Sequence, residues 1–370
     1  MKYEVTDGKC IIPDGATRIE EGAFAECESL QSIVIPDSVK EIEAYAFLEC
    51  WSLQAISIPY GVTKIGRSVF GGCTSLQSVE IPNSVTRIEY EAFECCKNLR
   101  YIELPNSLTT IDDLAFEDCA SLQSIKVPDS VTRIGGGAFS CCSSLQSIVI
   151  SNSVTKIGYS AFSGCTCLQS IEIPDAVTII GSFAFGGCTS LQSIVIPDSV
   201  TVVGEAAFCG CTSLQSIEIP DSVTKIDGQA FRGCTSLQSI VIPDSVTTIG
   251  YSAFSGCSSL QSIVISNSVT KIGHVAFRGC SSLQSIEIPD SVTKIGVSAF
   301  DGCTSLQSIS IKTKEKDPDL SSGKIEYLLQ TLSKYSKEIC LRVPIGRGYA
   351  YRHHPAFEGK FKTIIADIDA

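Results

Sequence analysis

The chain has 370 residues, 44% apolar and 18% charged, so it exceeds one ordinary core and is too apolar for extended disorder. A net charge of −12 excludes a general nucleic-acid binder, because phosphate contact needs a basic face. No run of about 18 apolar residues occurs, and the opening MKYEVTD lacks the apolar core of a secretory leader, so the sequence as given predicts no membrane span and no signal peptide.

The predicted elements begin with an incomplete unit. Gly8-Lys9-Cys10-Ile11-Ile12-Pro13 stands 23 residues before Gln31-Ser32-Ile33-Val34-Ile35-Pro36. From there Phe recurs at every 23rd position, from Phe24 to Phe300, thirteen times without insertion or deletion. Cys follows each Phe by three residues and Leu follows each Cys by three, from Cys27 and Leu30 to Cys303 and Leu306. Residues 143–158 and 258–273 are identical, which points to recent block duplication.

Each unit opens with Leu-x-x-Ile-x-Ile, whose alternation and β-branching predict a short strand. Pro-Asp or Pro-Asn then turns the chain. A second apolar pair follows (Val39 and Ile42 in the first full unit). Ala-Phe-x-x-Cys closes the unit and predicts a helical or 3₁₀ turn. Such a unit cannot bury its apolar face alone, so neighbours must stack in a solenoid with a parallel sheet on one face.

These motifs resemble those of the BspA-like (Treponema pallidum-type) leucine-rich-repeat family. Leu-x-x-Ile-x-Ile is similar to the leucine-rich core, and the Cys ahead of Leu, the Pro after the strand and the Ala-Phe pair carry the closer resemblance. Unlike the general leucine-rich pattern, no Asn or Cys follows the strand three residues after its last Ile. The resemblance implies a β-rich leucine-rich-repeat solenoid over residues 1–311 and a function in bacterial surface adhesion.

Residues 312–370 break the period and predict a cap on the last repeat. Ile325, Leu328, Leu329 and Leu332 predict an amphipathic helix over Lys324–Ser336. Ile339–Pro344 predicts one further strand, and Phe357, Phe361, Ile364 and Ile365 are candidates to close the open end. The run from Val343 through Tyr351 and Phe357 to Lys362 resembles the family's cap motif. Residues 1–311 carry 17 Lys/Arg against 32 Asp/Glu, whereas residues 312–370 carry 11 against 8.

Nineteen cysteines cannot all pair within one chain. The thirteen in the ladder share one core slot, where a free thiol behaves as a small hydrophobe. Their side chains point the same way, so the slot predicts buried free thiols and not a disulfide ladder. A linear ladder also fails to converge on a metal. So many thiols suit a reducing setting, and with no leader they place the chain as given in the cytoplasm; the resemblance implies the cell surface or secretion instead. His353 and His354, near Cys340 and Glu358, are the only candidates for a hydrolase, and no activation motif accompanies them.

On the sheet face, the slot of Ser32 is Ser in nearly every unit, with Ala55 and Tyr101 as departures. The slot of Val34 reads Val34, Ser57, Glu80, Glu103, Lys126, Val149, Glu172, Val195, Glu218, Val241, Val264, Glu287, Ser310. Late units are monotonous, whereas early ones bring Trp51, Tyr60, Arg67, Tyr90, Arg100 and Tyr101. Aromatic and Arg residues anchor interfaces, so the candidate binding site is Glu80, Arg100, Tyr101, Glu103 and Lys126. Drift in older repeats is the competing explanation. The expected function is non-catalytic binding by a monomer of a protein or other macromolecule, without cofactor, metal or nucleic acid. A structural spacer is the alternative.

Overall fold

The computed structural model describes residues 3–312, 339–344, 348–353 and 361–368. The chain divides into two compact units, Met1–Ser199 and Val200–Ala370. Each is a parallel-strand β-solenoid built from 23-residue coils.

One coil illustrates the rule. Ser32–Val34 is a strand whose residues alternate exposed, buried, exposed. Period-two geometry sends Ile33 inward and leaves Ser32 and Val34 on the face. After the Pro36 turn, Glu41–Ile42 forms a second short strand with Ile42 buried. Parallel pairing keeps a register of one unit, as in Ser124↔Ser147, Ile125↔Ile148 and Lys126↔Val149. Equal coil length makes this register automatic, because identical residues meet.

The core is therefore a set of ladders. In the first unit the Phe rings from Phe24 to Phe185 stack at centroid separations of 5.2 to 5.6 Å. In the second, Phe208 to Phe300 stack at 5.4 to 5.6 Å. Offset aromatic pairs at such spacing add to burial. Tyr3 stacks on Phe24 at 5.4 Å and covers the first ring of the row. The repeat pattern had not singled out Tyr3, because it lies in the incomplete unit.

The Ala-Phe-x-x-Cys segment is a turn, which corrects the expected helical piece. In the coil of Phe47, Tyr45 (φ 59°) and Glu49 (φ 56°) adopt the left-handed region. Alternation of hand points successive N–H groups in different directions. Tyr45, Phe47 and Glu49 donate to the next coil, at Arg67, Val69 and Gly71 carbonyls (3.0, 3.0 and 2.7 Å). Leu48 and Cys50 donate within the coil, to Tyr45 and Phe47 (3.0 and 3.2 Å). A helix would spend all these donors locally, whereas this arrangement shares them with the neighbour.

At the C-terminal end, Ser308–Ile311 pairs in parallel with Cys340–Pro344, which pairs with Thr363–Ile368. The strand anticipated at 339–344 is thus present, with Ile339, Leu341 and Val343 buried. A short helix spans Gly348–His353. The helix expected over Lys324–Ser336 and the contact expected from Phe357 lie outside the described residues.

Candidate functional site

The outward sheet row of the first unit opens at one coil. Lys9–Ile11, Ser32–Val34, Ala55–Ser57 and Ser78–Glu80 form one parallel sheet. Tyr101–Leu104 occupies the next strand position, yet no backbone hydrogen bond joins it to Ser78–Ile81 before it or Ser124–Val127 after it. Pairing also lapses between Ser147–Val149 and Ser170–Glu172, but each of those strands keeps a bonded neighbour on its other side. The second row of short strands continues past the opening, with Arg87 paired to Thr110 and Ile88 to Ile111. The Phe93–Phe116 stack also continues, at 5.2 Å. The opening is therefore confined to the sheet face.

A cleft of about 540 Å³ occupies this gap, lined by residues 78–83 and 101–106. Ile102 and Leu104 are buried beneath it, while Ile81 is only half-buried, unlike its counterpart Ile58. Tyr101 stands on the rim with 61% of its surface exposed. Glu80 and Glu103 are exposed on the two sides, and among the described residues no cation lines the cleft.

The location coincides with a feature of the charge pattern. Glu80 and Glu103 fill the same outward slot of adjacent coils, the only place along that slot where like charges are neighbours. In a closed parallel ladder the two positions would lie ~4.8 Å apart. Like charges directly opposite one another oppose strand pairing.

The structure thus brings together Glu80, Tyr101 and Glu103 at one cleft. Arg100 precedes it in the chain, and Lys126 belongs to the following strand, which pairs with Ser147–Val149; neither lines the cleft. Ile81, Asn83 and Asn106 complete the lining and were missed from sequence. The adjacent glutamates were the available signal, visible once the slot is read coil by coil.

A second cleft of about 300 Å³ lies over residues 40–44, Thr63, Lys64, Gly66, Arg67 and Glu89. Beside it, the Arg67 guanidinium lies 5.7 Å from the Tyr45 ring and 5.0 Å from the Tyr90 ring. Such cation–π contact holds Arg67 in place. Lys64 pairs with Glu89 at 3.2 Å on the same surface, so these charges satisfy one another.

The thiols offer no reactive centre in the ladder. All nineteen cysteines are free, and the ladder members are buried. Burial pushes Cys188 and Cys303 up to about 12, and raises Cys119, Cys142, Cys165, Cys234 and Cys257 as well. A protonated buried thiol is a poor nucleophile. Among the described residues no group of His, Cys, Asp and Glu is placed to hold a metal, and no helix is long and apolar enough to cross a membrane. His353 ends the short helix with its side chain exposed, and His354 lies outside the described residues.

Coils of fixed length, a Leu-x-x-Ile-x-Ile motif in each and parallel pairing between coils in register define a leucine-rich-repeat solenoid. The BspA type leucine rich repeat region matches residues 6–123, 86–215 and 203–317, and the chain belongs to that family. It is 28% identical to a leucine-rich repeat protein from Bacteroides ovatus, covering 98% of each chain with a TM-score of 0.58. It is 27% identical to a leucine rich cell surface protein from Faecalibacterium prausnitzii, covering 98% of this chain and 88% of that one, with a TM-score of 0.52. It is 31% identical to a T. pallidum leucine rich repeat protein, over 50% of this chain and 77% of that one, with a TM-score of 0.40. No curated protein matches the chain.

Proposed function

We propose that this chain is a non-catalytic binding protein of the adhesion type, and that it engages a macromolecular partner at the cleft between residues 78–83 and 101–106. The observation that carries the reading is the opening itself. One coil gives up its sheet pairing and leaves an exposed aromatic and unpaired backbone groups over a floor of buried aliphatic side chains. Exposed aromatics over an apolar floor are the usual anchors of interfaces. The likeness to a cell surface protein of F. prausnitzii supports the same direction. The free thiols suit a reducing or anaerobic setting.

Partner capture from host or bacterial extracts, followed by titration of the purified partner, tests this reading. Tyr101→Ala and Glu103→Lys should each weaken binding about tenfold, the scale of an interface hot spot. Ser239→Ala and Val241→Ala, at matching slots of the second unit, should leave it unchanged. Equal effects at both places would remove the site. A structural spacer is the second reading, supported by the repeated Val241 and Val264 face. A chain that captures nothing would favour it.

A further inference from the structure

Resting on that reading of the cleft, we infer that its occupant is an extended peptide segment that seats a Lys or Arg side chain between Glu80 and Glu103. Two observations lead there. First, among the described residues the lining holds two carboxylates and no cation, and neither carboxylate has an ion-pair partner within 4.0 Å. The surrounding unit shares the sign: residues 1–199 carry 24 Asp/Glu and 12 Lys/Arg. Such a field steers and orients a cationic partner. Second, in a closed ladder these two carboxylates would face one another at ~4.8 Å, where like charges oppose pairing. A cation between them cancels that repulsion, so occupancy and local stability rise together. An anionic occupant is repelled by the pair, and a neutral one can only donate hydrogen bonds to it without cancelling its charge.

The remaining lining fits the rest of a peptide. The Tyr101 ring offers a face to a guanidinium or ammonium. The Ile81 N–H lacks the carbonyl partner that its counterpart Ile58 finds on Glu80 at 3.0 Å. An extended backbone can supply that acceptor, as in strand addition to an open edge. Asn83 and Asn106 at the Pro turns bring further donors and acceptors to one end of the cleft.

Fluorescence anisotropy with a short fluorescein-labelled peptide of alternating Thr and Arg tests the inference on the full chain. Control peptides carry Gln or Glu in place of Arg. The Arg peptide should bind, and its affinity should fall about tenfold between roughly 50 and 500 mM salt. The double variant Glu80→Gln with Glu103→Gln should lose binding by a similar factor, while Glu287→Gln, in the same slot of the second unit, should not. A cooperative melt at or above the temperature of the parent chain would show that the double variant is folded. Equal binding of the Gln and Arg peptides, both abolished by Tyr101→Ala, would overturn the cationic inference and leave the cleft reading intact. Arg-peptide binding unaffected by the double variant, or no binding at all, would also overturn it. The effect of Tyr101→Ala on the captured partner judges the cleft reading separately.

Discussion

The Cys142 thiol donates a hydrogen bond to the carbonyl oxygen of Phe116, one coil back, at 3.2 Å. The same oxygen accepts the Cys119 N–H at 3.3 Å, so both lone pairs are used. This relationship repeats in each unit, as with Cys50 and Phe24 at 3.1 Å and Cys257 and Phe231 at 3.1 Å. A thiol fits because it is small and apolar enough for the core yet still a donor. The ladder cysteine is therefore a fastening between coils as well as filler.

Replacing Cys142 by Ala removes the donor and leaves a small void. The loss should be about 1–2 kcal/mol, summing a lost hydrogen bond and a lost sulfur contact. Cys142→Ser should recover part of it, because a hydroxyl still donates. Urea unfolding measures all three proteins; an unchanged midpoint for the Ala variant would show that the bond contributes nothing.

Alkaline pH should unfasten the ladder. An unfolded thiol loses its proton near pH ~8.5, whereas burial holds Cys188 and Cys303 protonated up to about 12. Between those values the folded chain binds more protons than the unfolded one, so stability falls as pH rises. Below the unfolded value the contribution is fully present. Urea midpoints should be level from neutral to mildly alkaline pH and drop steeply above it. Thiol reagents at neutral pH should react first with the exposed Cys141 and Cys167.

Glu103→Val should close the opened coil. Val is common in this slot and removes the like charge opposite Glu80. Stability should rise by roughly 0.5–1 kcal/mol, the scale of a cross-strand pair. Hydrogen exchange at the Ile81 amide should slow as it gains a carbonyl partner. Unchanged exchange there would place the cause of the opening elsewhere.

Val275 holds φ at 49°, a left-handed conformation that β-branching disfavours. Gly22 and Gly137 occupy the equivalent position in their own coils, at φ of 60° and 61°. Val275→Gly should relieve strain of order 1–3 kcal/mol, partly offset by the greater freedom of Gly in the unfolded chain. A net gain of about 1 kcal/mol is expected from thermal or urea unfolding. A loss would mean that Val275 packing outweighs its backbone strain.

We propose residues 312–370 as a cap on the repeat array of residues 1–311. Deleting residues 313–370 removes the strands Cys340–Pro344 and Thr363–Ile368 and bares the edge of Ser308–Ile311. An uncovered parallel edge beside buried Ile309 and Ile311 should associate with other copies. Light scattering should detect larger species for the shortened chain than for the full chain at equal concentration. A monomeric truncation with unchanged melting would reject the cap.

The sequence by itself determined the architecture. A constant spacing from Phe24 to Phe300 forces like residues to stack, and the alternation around Ile33 decides which side chains enter the core. Both are local patterns repeated without a slip, so register and core needed nothing further. Tertiary structure decided what depends on partners a whole coil away. The Cys142 bond to Phe116 is one case, because its acceptor lies 26 residues back. The left-handed turns at Tyr45 and Glu49 are another: local propensity alone suggested a helical piece, but the donors there are shared with the next coil. Tyr101, Glu80 and Glu103 could be singled out by type and slot. That their coil opens into a cleft, and that Arg100 and Lys126 stay outside it, depends on pairing between neighbouring coils, which exists only once the coils are stacked.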